Sequence, residues 1–168
     1  MGWTPVDGPR LAAVALVAVL ALAAGTTGYA ASRPAYDLVV TDADTGDVLL
    51  SVPVDDGESV TLAYTHSVEK TPVEDVYRVD GTRLDNTLMR FQSYGWGLPS
   101  RANVTLEDGW FVFDPDHSYE SFFVKPGRVA GHTLRVDGRV YDLVALSNAS
   151  SVRISVRHRG LLERLPWQ

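Results

Sequence analysis

The chain has 168 residues, 21 acidic against 15 basic, four histidines and no cysteine, for a net charge of −6. An acidic balance argues against nucleic acid as a partner, since a phosphate backbone calls for a basic footprint, and the lack of cysteine excludes disulfides and lipid attachment through a thioether. Asp outnumbers Glu 15 to 6 and Arg outnumbers Lys 13 to 2, a short, well-hydrated carboxylate surface that suggests a halophile, although GC-rich coding also favours Arg over Lys.

From the N-terminus, residues 11–32 carry no charge. The strictly apolar part, 11–24, is rich in alanine, and 25–31 extends it to about the 20 residues that a helix needs to cross a bilayer. Arg10 and the free amino group stand with Asp7 before this run, and Arg33 stands against Asp37, Asp42, Asp44 and Asp47 after it. That bias places the N-terminus inside. The run also reads as a signal peptide, because its apolar core is short and small residues follow at Ala21, Ala23, Gly28 and Ala30. Both readings export the rest of the chain. The expected organisation is a tail and single-pass transmembrane anchor over 1–32, in contact with the bilayer from Leu11 to Ala31, and one extracytoplasmic domain over 33–168 at the cell membrane. That domain keeps the net charge of −6, because residues 1–32 hold one acid and one base.

Beyond the anchor, turn signals recur at Asp44-Thr45-Gly46, Asp55-Asp56-Gly57, Asp80-Gly81, Gly95-Trp96-Gly97, Asp108-Gly109, Pro126-Gly127 and Asp137-Gly138. The runs between them are short and dense in Val, Leu, Tyr, Phe and Thr, and no long segment shows a 3.6-residue period. The expected fold is all-β, an antiparallel sandwich or partly open barrel following one N-terminal transmembrane helix. The clearest strand alternates Val60, Leu62, Tyr64, His66 and Val68 on one face with Thr61, Ala63, Thr65, Ser67 and Glu69 on the other. Another turns Val152, Ile154 and Val156 inward and Arg153, Ser155 and Arg157 outward. Residues 110–113 and 122–124 are unbroken apolar runs, expected to be buried on both faces or beneath a loop.

Several stretches invite a chemical reading. Asp42, Asp44 and Asp47 around Gly46, and Asp114 with Asp116, raise calcium, but Val52 stands where a ligand loop needs its bidentate Glu. A hairpin turn accounts for the first group more simply. The densest polar stretch is Tyr64-Thr65-His66-Ser67-Val68-Glu69-Lys70-Thr71-Pro72-Val73-Glu74. Neighbours on a strand point to opposite faces, so His66 and Ser67 cannot form a nucleophile and base dyad there. A serine hydrolase would need His117, His132 or His158 as its base. In the simpler reading His66 continues the apolar face and hydrogen-bonds inside the fold, while Thr71-Pro72 closes a connection between strands. Downstream, two glycines flank Trp96 and allow close backbone approach, while Tyr94 and Trp96 offer flat faces with polar edges, suited to a pocket rim or a sheet corner. The loop lacks the strand-to-helix setting and lysine of a phosphate cradle. The four histidines match no recurrent metal spacing. Arg153, Arg157, Arg159 and Arg164 with Leu161, Leu162, Leu165 and Trp167 make a basic, interfacial C-terminal segment, suited to anionic lipid, a membrane partner or packing on the sheet. Asn103 and Asn148 open glycosylation triplets.

Three of these stretches carry a family resemblance: the run from His66 through Thr71-Pro72-Val73-Glu74-Asp75-Val76 to Tyr77, the aromatic loop through Gly95 and Gly97, and Gly131-His132-Thr133-Leu134 with its Gly138 hairpin. Over roughly residues 39–156 the chain resembles domain-of-unknown-function family 1850, and the His-Ser-Val-Glu-Lys-Thr-Pro run is the most specific part. The resemblance implies a small exported or membrane-anchored protein, often encoded beside or joined to membrane subunits of TAXI-type TRAP transporters, and hence an accessory role in solute uptake. It carries over no catalytic residue. Members of the family often have cysteines, which this chain lacks.

The reading that results is an anchored, extracytoplasmic accessory or binding domain, more readily a non-enzyme than an enzyme, with no catalytic residue, metal or cofactor assigned. Its expected partners are the membrane subunit or the solute-binding protein of a TRAP system. The expected binding residues are Tyr64, His66, Ser67, Glu69, Lys70, Glu74, Arg90, Tyr94 and Trp96. In that scheme His66 with Glu69 or Glu74 supplies directional hydrogen bonds, Lys70 and Arg90 hold a carboxylate, and Trp96 covers apolar surface. The alternatives are a secreted hydrolase using residues near His66 and a calcium-dependent surface module built on Asp42, Asp44 and Asp47.

Overall fold

β-branched and aromatic residues at every second position, interrupted by Asp-Gly pairs, leave the chain little choice but short antiparallel strands. A computed structural model describes residues 34–93 and 104–160, all within the second of two compact units, Met1–Arg33 and Pro34–Gln168. The described elements are β1 (Tyr36–Asp42), β2 (Val48–Val54), β3 (Ser59–Thr65), β4 (Pro72–Asp80), β5 (Arg83–Phe91), β6 (Thr105–Glu107), β7 (Trp110–Phe113), β8 (His117–Tyr119), β9 (Ser121–Val124), β10 (Thr133–Val136), β11 (Arg139–Asp142), α1 (Leu143–Ser147) and β12 (Val152–His158). They form a four-stranded sheet in the order β2-β1-β12-β9 and an eight-stranded sheet in the order β11-β10-β3-β4-β5-β7-β6, with β8 also paired to β5. Each order is linear and every pairing antiparallel. The fold is therefore all-β and antiparallel as expected, in two sheets with no closed barrel; of the two expected forms, sandwich and partly open barrel, it is the sandwich.

The core lies between the sheets. Leu38, Val40, Val52, Val54 and Ile154 from the smaller sheet pack with Val60, Leu62, Tyr77, Val79, Leu84, Leu134 and Val136 from the larger one. Val60 and Leu62 lie in the core, as do Val152, Ile154 and Val156, so the inward stripes predicted for both strands hold, while Ala63 and Ser155 on their other faces are buried as well. At Asp137-Gly138 both residues have positive φ, 47° and 70°, the mirror-image turn whose twist matches a two-residue hairpin. It joins β10 to β11 in tight register.

Three expectations need correction. β3 stops at Thr65, and His66 and Val68 lie in the connection to β4 instead of continuing its inner face; Val68 is 67% exposed. The His66 N–H donates to the Thr71 carbonyl at 2.8 Å and the Lys70 N–H to the His66 carbonyl at 2.9 Å, with Lys70 at φ 57°. A left-handed residue closing a four-residue loop is how the hairpin reverses ahead of Pro72, so alternation cannot persist through it. All four residues of β7 are half-buried, and Phe123 of β9 is 67% exposed; β9 is a terminal strand of its sheet and β7 lies next to one. Finally α1 interrupts the all-β pattern. Five residues are too few to show a helical period, but its caps are strong: the Asp142 carboxylate accepts from the N–H groups of Val144 and Ala145 at 2.8 and 3.1 Å, and Asn148 ends the helix in the left-handed region. No helix among the described residues is long and apolar enough to cross a membrane, and the expected anchor at 11–31 lies outside the described residues.

Candidate functional site

β4 is the central rail of the site, because its successive residues face opposite sides of the larger sheet. Glu74 points to the outer face, in register with Ala63 of β3 on one side and Arg90 of β5 on the other. Arg90 donates from Nε to Glu74 Oε2 at 2.7 Å, with Nη2 at 2.5 Å from the same oxygen. Arg135 of β10 donates from Nη1 to Oε1 at 2.9 Å. To do so it reaches diagonally across β3, because Arg135 stands in register with Thr61 while Glu74 stands in register with Ala63, two residues further along that strand. The Arg90 guanidinium also sits 4.9 Å from the centre of the Trp110 ring on β7, a favourable position for a cation over an aromatic face. The Glu74 side chain is only 10% exposed, whereas those of Arg90 and Arg135 are 41% and 48% exposed. Each guanidinium has five N–H donors, so both keep donors turned to solvent while the carboxylate fixes their position.

The remaining predicted residues divide by location. His66, Ser67, Glu69 and Lys70 form the β3–β4 loop at one end of this face. There His66 Nδ1 accepts from the Glu69 N–H at 3.2 Å, tying the loop to itself, and the Ser93 hydroxyl donates to Glu69 Oε2 at 3.3 Å. Tyr64 is on the opposite, inner face of β3, its ring stacked on His132 at 4.9 Å between centroids. Tyr94 and Trp96 lie outside the described residues, as does the C-terminal segment from Leu161 to Trp167. Thus Glu74 and Arg90 are brought together and the His66 loop borders them, while Tyr64 belongs elsewhere. The Asp42 carboxylate accepts from the N–H groups of Asp44 and Thr45 at 2.9 and 3.0 Å; those bonds, Thr45 first, hold its pKa below the ordinary carboxylate value, and the group closes the β1–β2 turn. Among the described residues no cluster of three or more His, Asp or Glu side chains is placed to hold a metal ion.

A second group, on the inner face, is absent from the residues expected on sequence grounds. Asp75 stands in register with Leu62 and Met89, and burial pushes its carboxyl up to about 6. The same burial, with the nearby charge of Asp75 adding to it, pushes the Tyr64 phenol up to about 12 and raises Tyr77 further. Burial lowers His132, whose Nδ1 accepts from the Gly127 N–H at 3.1 Å. Asp75 makes no hydrogen bond or ion pair among the described residues. A signal for it exists: Val73, Asp75, Tyr77 and Val79 form one alternating inward stripe, and an acid in that stripe is out of pattern. Sequence reasoning misses Arg135 and Trp110 as well. Arg135 alternates outward between Leu134 and Val136, but its reach across β3 depends on a strand order that spacing does not encode.

Residues 60–143 match the family model described as Domain of unknown function (DUF1850). No curated protein and no solved structure matches the chain. The matched stretch runs from β3 to the start of α1 and contains Tyr64, Glu74, Asp75, Arg90, Trp110, His132 and Arg135, so both clusters lie within it, together with the His66 to Pro72 run. The chain belongs to the DUF1850 family of domains of unknown function.

Proposed function

We propose that this protein is an accessory binding domain, held at the outer side of the cell membrane by residues 11–31, that recognises a component of a TRAP-type solute uptake system through the outer face of its eight-stranded sheet. The observation that carries the reading is the convergence of Arg90 and Arg135 on the buried carboxylate of Glu74 beside Trp110. Two oriented, half-exposed guanidiniums next to an aromatic face, on a domain of net charge −6, suit a carboxylate-bearing patch on a protein partner. The partner's identity and the anchoring follow from the family resemblance and the uncharged N-terminal run. The role is recognition, with Arg90 and Arg135 as the contacts and Glu74 and the His66 loop as their support.

Affinity purification of the tagged full-length protein from gently solubilised native membranes tests this. The expected result is recovery of a transporter membrane subunit or its solute-binding protein with residues 1–32 intact, and loss of that partner in Arg90→Ala and Arg135→Ala at unchanged expression. A mature chain beginning near Ala31, free in the medium with no transporter attached, overturns the reading.

A further inference from the structure

The opposite side of the molecule carries a second basic feature, remote in purpose from the Glu74 cluster. β9 pairs with β12 only from Val152 to Ser155, so Val156 and Arg157 continue past the start of β9 with β1 on their other side. Where β9 leaves, the turn that opens β5 comes in and a cleft of about 290 Å³ forms, lined by Thr82, Arg83, Glu120, Arg153, Ser155 and Arg157. Three guanidiniums against one carboxylate leave an excess of about two positive charges in an otherwise acidic domain.

The groups are arranged in a way that surface scatter does not explain. Arg83 is pinned from behind: its Nε donates to the Ser118 hydroxyl at 2.8 Å and its Nη2 to the Ser118 carbonyl at 3.0 Å, while Ser118 in turn donates to Asp85. Its remaining contact, to the exposed Glu120, is a long 3.4 Å. Arg153 and Arg157 have no hydrogen bond or ion pair among the described residues. Asp37, directly across from Arg157 on β1, has Arg159 at 3.9 Å to meet its charge. Between the two free arginines in sequence stands Ser155, 5% exposed, whose hydroxyl is buried without a partner. Leaving a hydroxyl so is unfavourable, and native structures rarely do it without a reason.

We propose that this cleft is a phosphate site, in which Arg83, Arg153 and Arg157 bind the oxygens of a phosphate monoester or diester and the Ser155 hydroxyl donates to one of them. The charge agrees: a phosphate monoester carries about −1.5 to −2 at neutral pH, close to the excess in the cleft. Planar arginine forks match phosphate oxygens in pairs, and one fork fixed in advance by Ser118 lowers the ordering cost of binding. The same group is available from a lipid headgroup or from a soluble phosphate.

The test is calorimetric titration of inorganic phosphate into the full-length protein in non-ionic micelles at low salt. Saturable binding is expected, about tenfold weaker in Arg153→Ala and in Arg157→Ala and unchanged in Arg139→Ala, a control on the far side where Asp55, Glu58 and Asp137 surround the arginine. Ser155→Ala is the sharper variant, because it should weaken binding about threefold while raising the melting temperature by a few degrees, about what removing one unsatisfied hydroxyl gives. Adding phosphatidylglycerol to the micelles identifies the source: displacement of phosphate assigns a lipid headgroup, and persistence assigns a soluble phosphate. Absence of saturable binding, or an equal loss in Arg139→Ala, overturns the site.

Discussion

Glu74 and Asp75 are neighbours in one strand, both carboxylates and both largely withdrawn from water, yet the fold treats them in opposite ways. Glu74 faces outward and is held by two guanidiniums within 2.9 Å. Asp75 faces inward among Leu62, Met89 and two tyrosines, with no partner among the described residues, and its affinity for a proton rises until it titrates near pH 6. A buried carboxyl must be met by countercharge or be neutralised by a proton, and β4 uses each solution on one of its faces. The outer face therefore holds its carboxylate by paired guanidiniums, and the inner face carries a group whose charge depends on pH.

The largest effect that sharpens this contrast is expected at Asp75. Its folded-state pKa of about 6 lies above the value of about 3.9 for an exposed Asp, so the native state binds the proton more tightly than the unfolded chain. The stability this contributes is fully present below about pH 4 and is lost as pH rises through 6, about 3 kcal/mol for a shift of about two units. Asp75→Asn keeps the side chain neutral throughout. Urea unfolding of both proteins at pH 4 and pH 8 should give similar stabilities at the lower pH and a variant more stable by about that amount at the higher one. A difference that does not change with pH would show that Asp75 is solvated.

Next in size is Tyr64, on the same face. With the phenol pushed up to about 12 from an ordinary value near 10, its contribution is present below pH 10 and is lost as pH climbs through 12, an effect of about 2 kcal/mol once the two-unit shift is discounted for the solvent that reaches this half-buried ring. In an ultraviolet titration Tyr64→Phe should lack one late-titrating phenol. Because the Asp75 charge is the second cause of the shift after burial, Asp75→Asn should move that phenol back toward 10. A titration identical in the two backgrounds would separate the groups and break the inner cluster into unrelated residues.

Much of the fold is legible in the sequence because turns and alternation are local. Asp137-Gly138 and the stripes through Val60 and Ile154 are read from spacing alone, and an all-β antiparallel fold follows from them, with the choice between a sandwich and a partly open barrel left to contacts between strands. The features that escape such reading depend on contacts between strands distant in sequence. Glu74 and Arg90 are both among the expected binding residues, but the bond between them depends on the β4–β5 register, and Arg135 joins them only because β10 lies beside β3 and its side chain crosses that strand on the diagonal. Alternation carries His66 one step too far along its strand, since the residue that ends the pattern is Lys70 in a left-handed conformation four positions later. Asp75 is legible in principle, as an acid out of pattern on an inward stripe, but its consequence requires knowing that Leu62 and Met89, not cations, lie across from it.

The smallest effect is at Glu74, and its size is itself informative. Removing one partner of a fully buried ion pair costs about 3–5 kcal/mol, because the other charge is stranded. Here the partners are 41% and 48% exposed, so in Glu74→Gln water takes over most of what the carboxylate provided and the loss should be about 1–2 kcal/mol. The two arginines should not share it equally. Arg90 keeps the Trp110 ring beneath it, whereas Arg135 reaches Glu74 on the diagonal across β3 and has no ring contact among the described residues. A double-mutant cycle in urea should therefore give a larger coupling of Glu74 to Arg90, which has two nitrogens on one oxygen, than to Arg135, and both couplings should shrink as salt is added. If Glu74→Gln instead costs as much as Asp75→Asn gains, the arginines are desolvated in solution and the outer face is closed to a partner.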